Sequence, residues 1–202
     1  MSHFIGLVFA DASTNYEELL APYNEQDEDY CEFQDRTDEV RERWEKLPEL
    51  DASTYDDGTP NNSPCDKAHY PTIDDLAKHW FGYRKNDEGK WGATYNPNAK
   101  WDWYSEGGRW KGFIKTKDGE DCDACTFNEV DWDIMLKEEN LPFCFVTAGG
   151  EWREKGNMGW WAMVSNEKGG NAWQKELTDY VQTLRNEGYA DRVYVTAVDF
   201  HI

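Results

Sequence analysis

The residues best suited to chemistry are concentrated in the segment 96–111, which reads NPNAKWDWYSEGGRWK. Flat aromatic faces on which a nucleobase can stack come from four side chains: Trp101, Trp103, Tyr104 and Trp110. Gly107 and Gly108 allow a ligand to approach the backbone closely, with N–H groups available to an anion. Positive charge comes from three side chains: Lys100, Arg109 and Lys111. The segment therefore predicts a site for a phosphorylated, nucleotide-like ligand.

A purely structural interpretation of the same segment stays open. In it the tryptophans belong to the core, and Gly107 and Gly108 form a turn. Arg109 then pairs with Asp102 or Glu106 rather than with a ligand. Gly-Gly-Arg by itself is a common tripeptide, so it does not decide between the two interpretations.

A second mixture of glycine, tryptophan and charge lies at 149–161, which reads GGEWREKGNMGWW. Arg153 adds a further candidate contact to an anionic ligand, and Lys155 is left open. The tandem glycines predict a hairpin turn. The ordinary role of Trp160 and Trp161 would be packing on the sheet.

Histidine and aspartate near the end of the chain are the candidates for catalysis. His201 follows Asp199 at i+2, which places both side chains on one face of a strand. If the first and last strands pair, His3 also comes close to His201. An imidazole beside a carboxylate can act as a general base or bind a metal. The alternative is a histidine that is merely exposed on an edge strand.

The motifs predict neither a metal site nor a cofactor. No histidine pair has the spacing of HxH or HExxH, and no P-loop or nucleophile elbow is present. Cys122 and Cys125 form a CxxC motif, but a zinc ribbon needs a second such pair, so we interpret them as incidental loop thiols. A divalent cation would be held only if four separated side chains converge: Asp102, Glu106, Glu151 and His201.

The charge is high and unevenly distributed. The 202 residues include 41 Asp+Glu and 21 Lys+Arg, giving a net charge of −20, which argues against binding to nucleic-acid backbone or to an anionic membrane. Residues 1–60 contain 17 acids and 4 bases, whereas 80–113 contain 4 acids and 6 bases. A small anion can therefore be held locally in 80–113.

Two other partners are compatible with this composition. A surface rich in carboxylates can mimic DNA or bind another protein directly, although here the acids flank a helical stripe. A patchy, tryptophan-rich surface can also be the interface of a homodimer. Five cysteines without a secretion signal indicate a reducing compartment.

The elements that must position these residues are predicted from periodicity and turn residues. Strands are expected at 3–10, 110–117, 142–148, 151–155, 160–165 and 192–202. Helices are expected within 14–60, from the capping box at Thr72, over 128–139, and from Asn171 to Gly188. The order of elements predicts a single α+β domain over 1–202, with an antiparallel sheet that includes both terminal strands. Its parts would be an acidic helical and loop insertion at 11–64 and an aromatic, glycine-rich ligand segment at 80–113.

Three segments carry a resemblance to a known family: NPNAKWDWYSEGGRW at 96–110, GEWREKGNMGWW at 150–161 and VTAVDFHI at 195–202. Together they resemble a family of bacteriophage and mobile-element proteins with an NPNxKWDWYxxGGRW motif, a C-terminal DxHI ending and no established activity. The resemblance covers most of 72–202. This chain departs from it at Phe200, where a small or thiol side chain is expected.

The resemblance implies a phage protein acting in the host cytoplasm, where small phage proteins often antagonise nucleotide-based immune signalling. With the residues of 96–111, it predicts a counter-defence protein that binds and sequesters such a signal. The first alternative is an enzyme, of the phosphodiesterase or hydrolase type, that degrades it. The second is an acidic DNA mimic, or a protein-binding inhibitor of a host defence protein.

Overall fold

The computed structural model describes residues 2–51, 53–54, 58–61, 63–159 and 162–202. They belong to two units. Unit 1 comprises Met1–Asp29 and Asn98–Ile202, and unit 2 comprises Tyr30–Pro97. All of the predicted ligand-binding and catalytic residues lie in unit 1.

The strands, in chain order, are β1 (His3–Asp11), β2 (Glu32–Asp35), β3 (Arg84–Lys85), β4 (Trp91–Tyr95), β5 (Trp103–Glu106), β6 (Ile114–Lys115), β7 (Asp121–Cys122), β8 (Ala124–Thr126), β9 (Cys144–Val146), β10 (Trp152–Glu154), β11 (Asn157–Met158), β12 (Val164–Ser165) and β13 (Val193–His201). The α-helices are α1 (Tyr16–Leu20), α2 (Thr37–Glu45), α3 (Ile73–His79), α4 (Trp132–Met135) and α5 (Gly170–Asn186). Short 3₁₀ segments cover Ala21–Tyr23, Glu28–Tyr30, Gly108–Trp110 and Glu138–Asn140.

Unit 1 is built on a central sheet in the order β10-β9-β1-β13-β5, with β8 also pairing with β13. β1 and β13 run antiparallel along their whole length, from His3 opposite His201 to Asp11 opposite Val193. The predicted pairing of the terminal strands is therefore confirmed, as is the mixture of helix and sheet.

The prediction of an antiparallel sheet is wrong, because β9 runs parallel to β1, with Gly6 opposite Cys144. A parallel neighbour requires a long crossover connection, and the chain between β1 and β9 provides one. β1 is almost entirely buried and lies between two strands with both sheet faces covered, which explains its nearly unbroken apolar sequence.

Each face of the central sheet carries its own apolar cluster. On one face α5 packs Trp173, Leu177 and Val181 against the sheet. The helix begins at Gly170, so Asn171 lies inside it and is not its cap as predicted. The other face is covered by α1 and by aromatic side chains around Phe200.

Unit 2 contains a three-stranded sheet in the order β2-β4-β3 together with α2 and α3. The predicted capping box of α3 is confirmed, since Thr72 and Asp75 satisfy each other's backbone N–H groups. The predicted helical region 14–60 is interrupted by β2, which pairs with β4. Strand pairing distant in sequence overrides the local helical pattern there.

Two further predicted elements are shorter in the structure than expected. The helix expected at 128–139 is reduced to α4, which Asp131 caps instead of Asn128. The strand expected at 110–117 is only β6, because the chain before it forms a 3₁₀ turn. Of the strand expected at 160–165, Trp160 and Trp161 lie outside the described residues. Within the part of the chain that is described, no helix is long and apolar enough to cross a bilayer.

Candidate functional site

The register of three neighbouring strands brings two histidines and a tryptophan together at one end of the central sheet. His3 lies opposite His201, which lies opposite Trp103, and directly opposed side chains share a face. The rings of His201 and Trp103 stack with centroids 5.0 Å apart and planes at 17°. The His3 ring meets the His201 ring in a T-shaped contact at 4.9 Å. We call these three residues, with Asp102 and Asp199, the histidine cluster.

Each histidine of the cluster pairs with its own aspartate. Nδ1 of His201 lies 2.6 Å from Oδ1 of Asp102, and Nδ1 of His3 lies 2.9 Å from Oδ1 of Asp199. An ionised carboxylate only accepts hydrogen bonds, so Nδ1 is the donor in both pairs. Nε2 of each ring then carries a lone pair while the ring is neutral, and a proton when the ring is charged.

Asp199 is the most buried member of the cluster, with 2% of its side chain exposed. A buried carboxylate needs hydrogen-bond donors, because removing a charge from water is costly. Besides His3, Asp199 accepts the backbone N–H of Arg109 through Oδ2 at 2.9 Å. The predicted catalytic candidates His201 and Asp199 do share a face, but they are not each other's partners.

The hydrogen-bonded partner of His201 is Asp102. The sequence suggests Asp102 as an ion-pair partner of Arg109, or as a metal ligand together with Glu106, Glu151 and His201, but it does not predict a direct pair of His201 with Asp102. The backbone N–H of Asp102 donates to the carbonyl of His201 at 3.0 Å, which continues the pairing of β5 with β13. The signal that would have found it is the pairing of the Trp103 strand with the terminal strand, which local patterns do not contain.

The tandem glycines hold the chain against Asp199. Gly107 and Gly108 have φ values of 65° and 50°, and a Cβ at Gly108 would lie 2.5 Å from Oδ2 of Asp199. Glycine is required here for both reasons. One of the two glycine amides expected to face an anion is used internally, because Gly107 N–H donates to the Ala197 carbonyl at 2.9 Å. The next amide but one, Arg109 N–H, donates to Asp199.

Two of the predicted cations are neutralised by acids. Nζ of Lys100 lies 2.7 Å from Glu154, and Nη2 of Arg153 lies 2.7 Å from Glu151. Arg153 also lies on β10, at the opposite edge of the sheet from β5. There it lines a separate cavity of about 540 Å³ beside Tyr180. The structure therefore does not bring Arg153 to the histidine cluster.

Arg109 and Lys111 differ from those two cations. Both are exposed, and within the described part of the chain neither side chain forms an ion pair. The predicted alternative, in which Arg109 pairs with Asp102 or Glu106, is not what the structure has. The backbone amide of Arg109 is bound to Asp199, so the main chain of Arg109 lies beside the cluster.

The predicted aromatic faces are divided between the two sides of the sheet. Trp101 and Tyr104 belong to the cluster of apolar residues on the far side, and Tyr104 lies opposite Phe200. Burial and the neighbouring Tyr16 and Glu17 raise the pKa of Tyr104 to about 12. Trp110 packs against the α5 side of the core. Trp103 is 44% exposed and is the aromatic residue that lies in the histidine cluster.

Trp101 is a core residue, as in the structural interpretation of segment 96–111, and is not available for stacking on a ligand. It is 6% exposed, and its Nε1 has no hydrogen-bond partner among the described residues. Phe200, the departure from the family motif, lies on the same side and is fully buried against Phe4 and Trp152. Its side chain points away from the face that carries His201 and Asp199, so the departure changes the core and leaves the cluster in place.

No group of three or more His, Cys, Asp or Glu side chains within the described residues is placed to hold a metal ion. Burial and a hydrogen bond with Cys122 raise the pKa of Cys125 well above its usual range. Cys125 is consequently protonated near neutral pH, which makes it a poor nucleophile and a poor metal ligand.

Comparison with known proteins adds no relative. The resemblance of 96–110 and 195–202 to a phage family therefore stays a prediction. No protein-family model, no curated protein and no solved structure matches this chain.

Proposed function

We propose that the chain is a phage counter-defence protein that binds a phosphorylated, nucleotide-like immune signal of the host at the histidine cluster and so removes it from solution. One observation carries the proposal: an exposed tryptophan and two imidazoles lie at one end of one sheet face, and beside them the backbone of Arg109, whose side chain forms no ion pair among the described residues, is bound to Asp199. The phage setting rests on the resemblance alone.

Stacking supports the nucleotide part of the proposal. One face of Trp103 is held by His201, which fixes the indole plane, while 44% of the residue stays accessible. A nucleobase stacked on such a ring contributes about 1–3 kcal/mol. Because the ring is already oriented, little of this is lost to ordering the side chain.

Charge supports the phosphate part. Arg109 offers a planar set of donors to a phosphate, and Lys111 adds a second charge two residues later. The net charge of −20 does not oppose this, because charges farther away than a Debye length of about 8–10 Å are screened at physiological salt. The part of this segment that belongs to unit 1, 98–113, contains 3 bases and 2 acids.

Calorimetric titration with a panel of cyclic dinucleotides and ADP-ribose derivatives tests the proposal. We expect binding by at least one of them, with Arg109→Ala weakening it about 10- to 150-fold through loss of a charge-assisted hydrogen bond. Trp103→Ala is expected to weaken it about 5- to 150-fold through loss of stacking.

Matched controls make these losses interpretable. Arg185→Ala removes an exposed arginine from α5, and Trp80→Ala removes a tryptophan that is 46% exposed in unit 2. Both should bind like the unchanged protein. An absence of heat with every ligand, or equal losses in the control variants, would overturn the proposed function.

A further inference from the structure

The binding proposal uses the two imidazoles as rings beside Trp103, but it gives no role to the aspartate that lies on each Nδ1. A sequestering site needs donors, planes and charge, but it does not need two histidines whose Nδ1 atoms are each held by an aspartate at 2.6 and 2.9 Å. Nor does it need them in contact with each other at 4.9 Å. Binding alone therefore does not explain why both histidines are paired with aspartates and contact each other.

A carboxylate on Nδ1 has two effects on an imidazole. It fixes the tautomer and the ring orientation, so that Nε2 is the atom that exchanges protons. It also stabilises the charged form of the ring when a proton arrives. Both histidines of the cluster have this support, and only 9% of the His3 side chain and 5% of the His201 side chain are exposed.

We propose that the histidine cluster is an acid–base centre that hydrolyses a phosphodiester bond of the ligand bound there, with His3 and His201 as its two proton-transferring residues. This inference rests on the proposed function, because Arg109 and Trp103 supply the binding of phosphate and base. In this inference the protein hydrolyses the bound signal instead of only sequestering it.

The reaction balances with water as the co-reactant. The neutral imidazole accepts a proton at Nε2 from a water molecule, whose oxygen forms a bond to phosphorus. The bond from phosphorus to the leaving ribose oxygen breaks, and the other ring, as imidazolium, donates its Nε2 proton to that oxygen. The products are a phosphomonoester and an alcohol, and exchange with solvent returns both rings to their starting forms.

The decisive variants are His3→Asn and His201→Asn. The asparagine amide lies near the position of Nδ1 and can still donate to the aspartate, but it has no counterpart of Nε2. We therefore expect folding to be retained and cleavage at saturating ligand to fall about 10²- to 10⁴-fold. His79→Asn, which changes an exposed histidine of unit 2, is the matched control and should cleave normally.

The assay incubates the full chain with each cyclic dinucleotide, denatures it by heat and separates the nucleotides by chromatography. Linear or monomeric product from the unchanged protein, and its loss in both asparagine variants, is the expected result. A ligand that binds but is recovered intact overturns acid–base catalysis and leaves the proposed function standing.

A second probe tests the catalytic inference independently of nucleotide binding. Bis(4-nitrophenyl) phosphate is a diester without a nucleobase. If it is hydrolysed in a His3- and His201-dependent manner while no nucleotide binds, the catalytic inference survives and the nucleotide proposal fails. If neither substrate is bound or cleaved, both proposals are overturned.

Discussion

At the scale of single residues, the site depends on how closely Gly108 lies to Asp199. The backbone passes so near the carboxylate that a Cβ at Gly108 would lie 2.5 Å from Oδ2, and the φ of 50° is itself unfavourable for other residues. Moving this turn also moves the Arg109 amide, which is one of the two donors that satisfy Asp199. A buried carboxylate that loses a donor costs about 1–3 kcal/mol or more.

We therefore predict that Gly108→Ala destabilises the protein more than Gly119→Ala does. Gly119 also has a positive φ, 84°, but a Cβ there would meet no atom within 4 Å. The strain common to both variants is about 1–2 kcal/mol, and the steric clash at Gly108 adds to it. Urea unfolding of the two variants measures the difference. Equal losses would mean that the close approach to Asp199 has no energetic importance.

At the scale of elements, the pairing of β1, β13 and β5 creates the histidine cluster, and only part of this pairing could be predicted from the sequence. The alternation in 192–202 and the apolar run after His3 indicated two strands, and their pairing places His3 opposite His201 as expected. The third strand, β5, was not predicted, because Trp103–Glu106 has no alternating pattern of its own. Trp103 was predicted as a stacking residue, but its contact with His201 and the hydrogen bond between His201 and Asp102 follow from this strand pairing and could not be predicted.

Two further features could not be predicted because they also depend on strand pairing: the direction of β9 relative to β1, and the sheet face on which each aromatic residue of 101–104 lies. A buried strand has the same composition whether its neighbour is parallel or antiparallel, so the sequence of Cys144–Val146 could not exclude a parallel pair. The sequence predicts that the aromatic residues of 101–104 form one binding surface. In a strand, successive side chains point to opposite faces, so Trp103 and Tyr104 end on different sides of the sheet.

At the scale of the whole molecule, the acidic charge and the site are separate properties. Three exposed acids of α2, Asp38, Glu39 and Glu45, lie in unit 2, whereas the histidine cluster lies in unit 1. We predict that replacing these three acids by their amides leaves ligand binding and counter-defence activity in infected cells unchanged within about twofold, because the proposed site uses none of them. A DNA mimic or an acidic protein inhibitor would instead lose activity.

The central claim is that the ligand binds at His3 and His201, and the imidazole nitrogens of these residues report it directly. The chain has four histidines, so a ¹⁵N-resolved NMR spectrum of their rings contains few signals to assign. In the unliganded protein we expect neutral His3 and His201 to be protonated at Nδ1, because each Nδ1 donates to an aspartate. On addition of a cyclic dinucleotide that binds, the signals of His3 and His201 should shift while those of His69 and His79 stay in place. A ligand that binds without moving His3 or His201 would contradict the account.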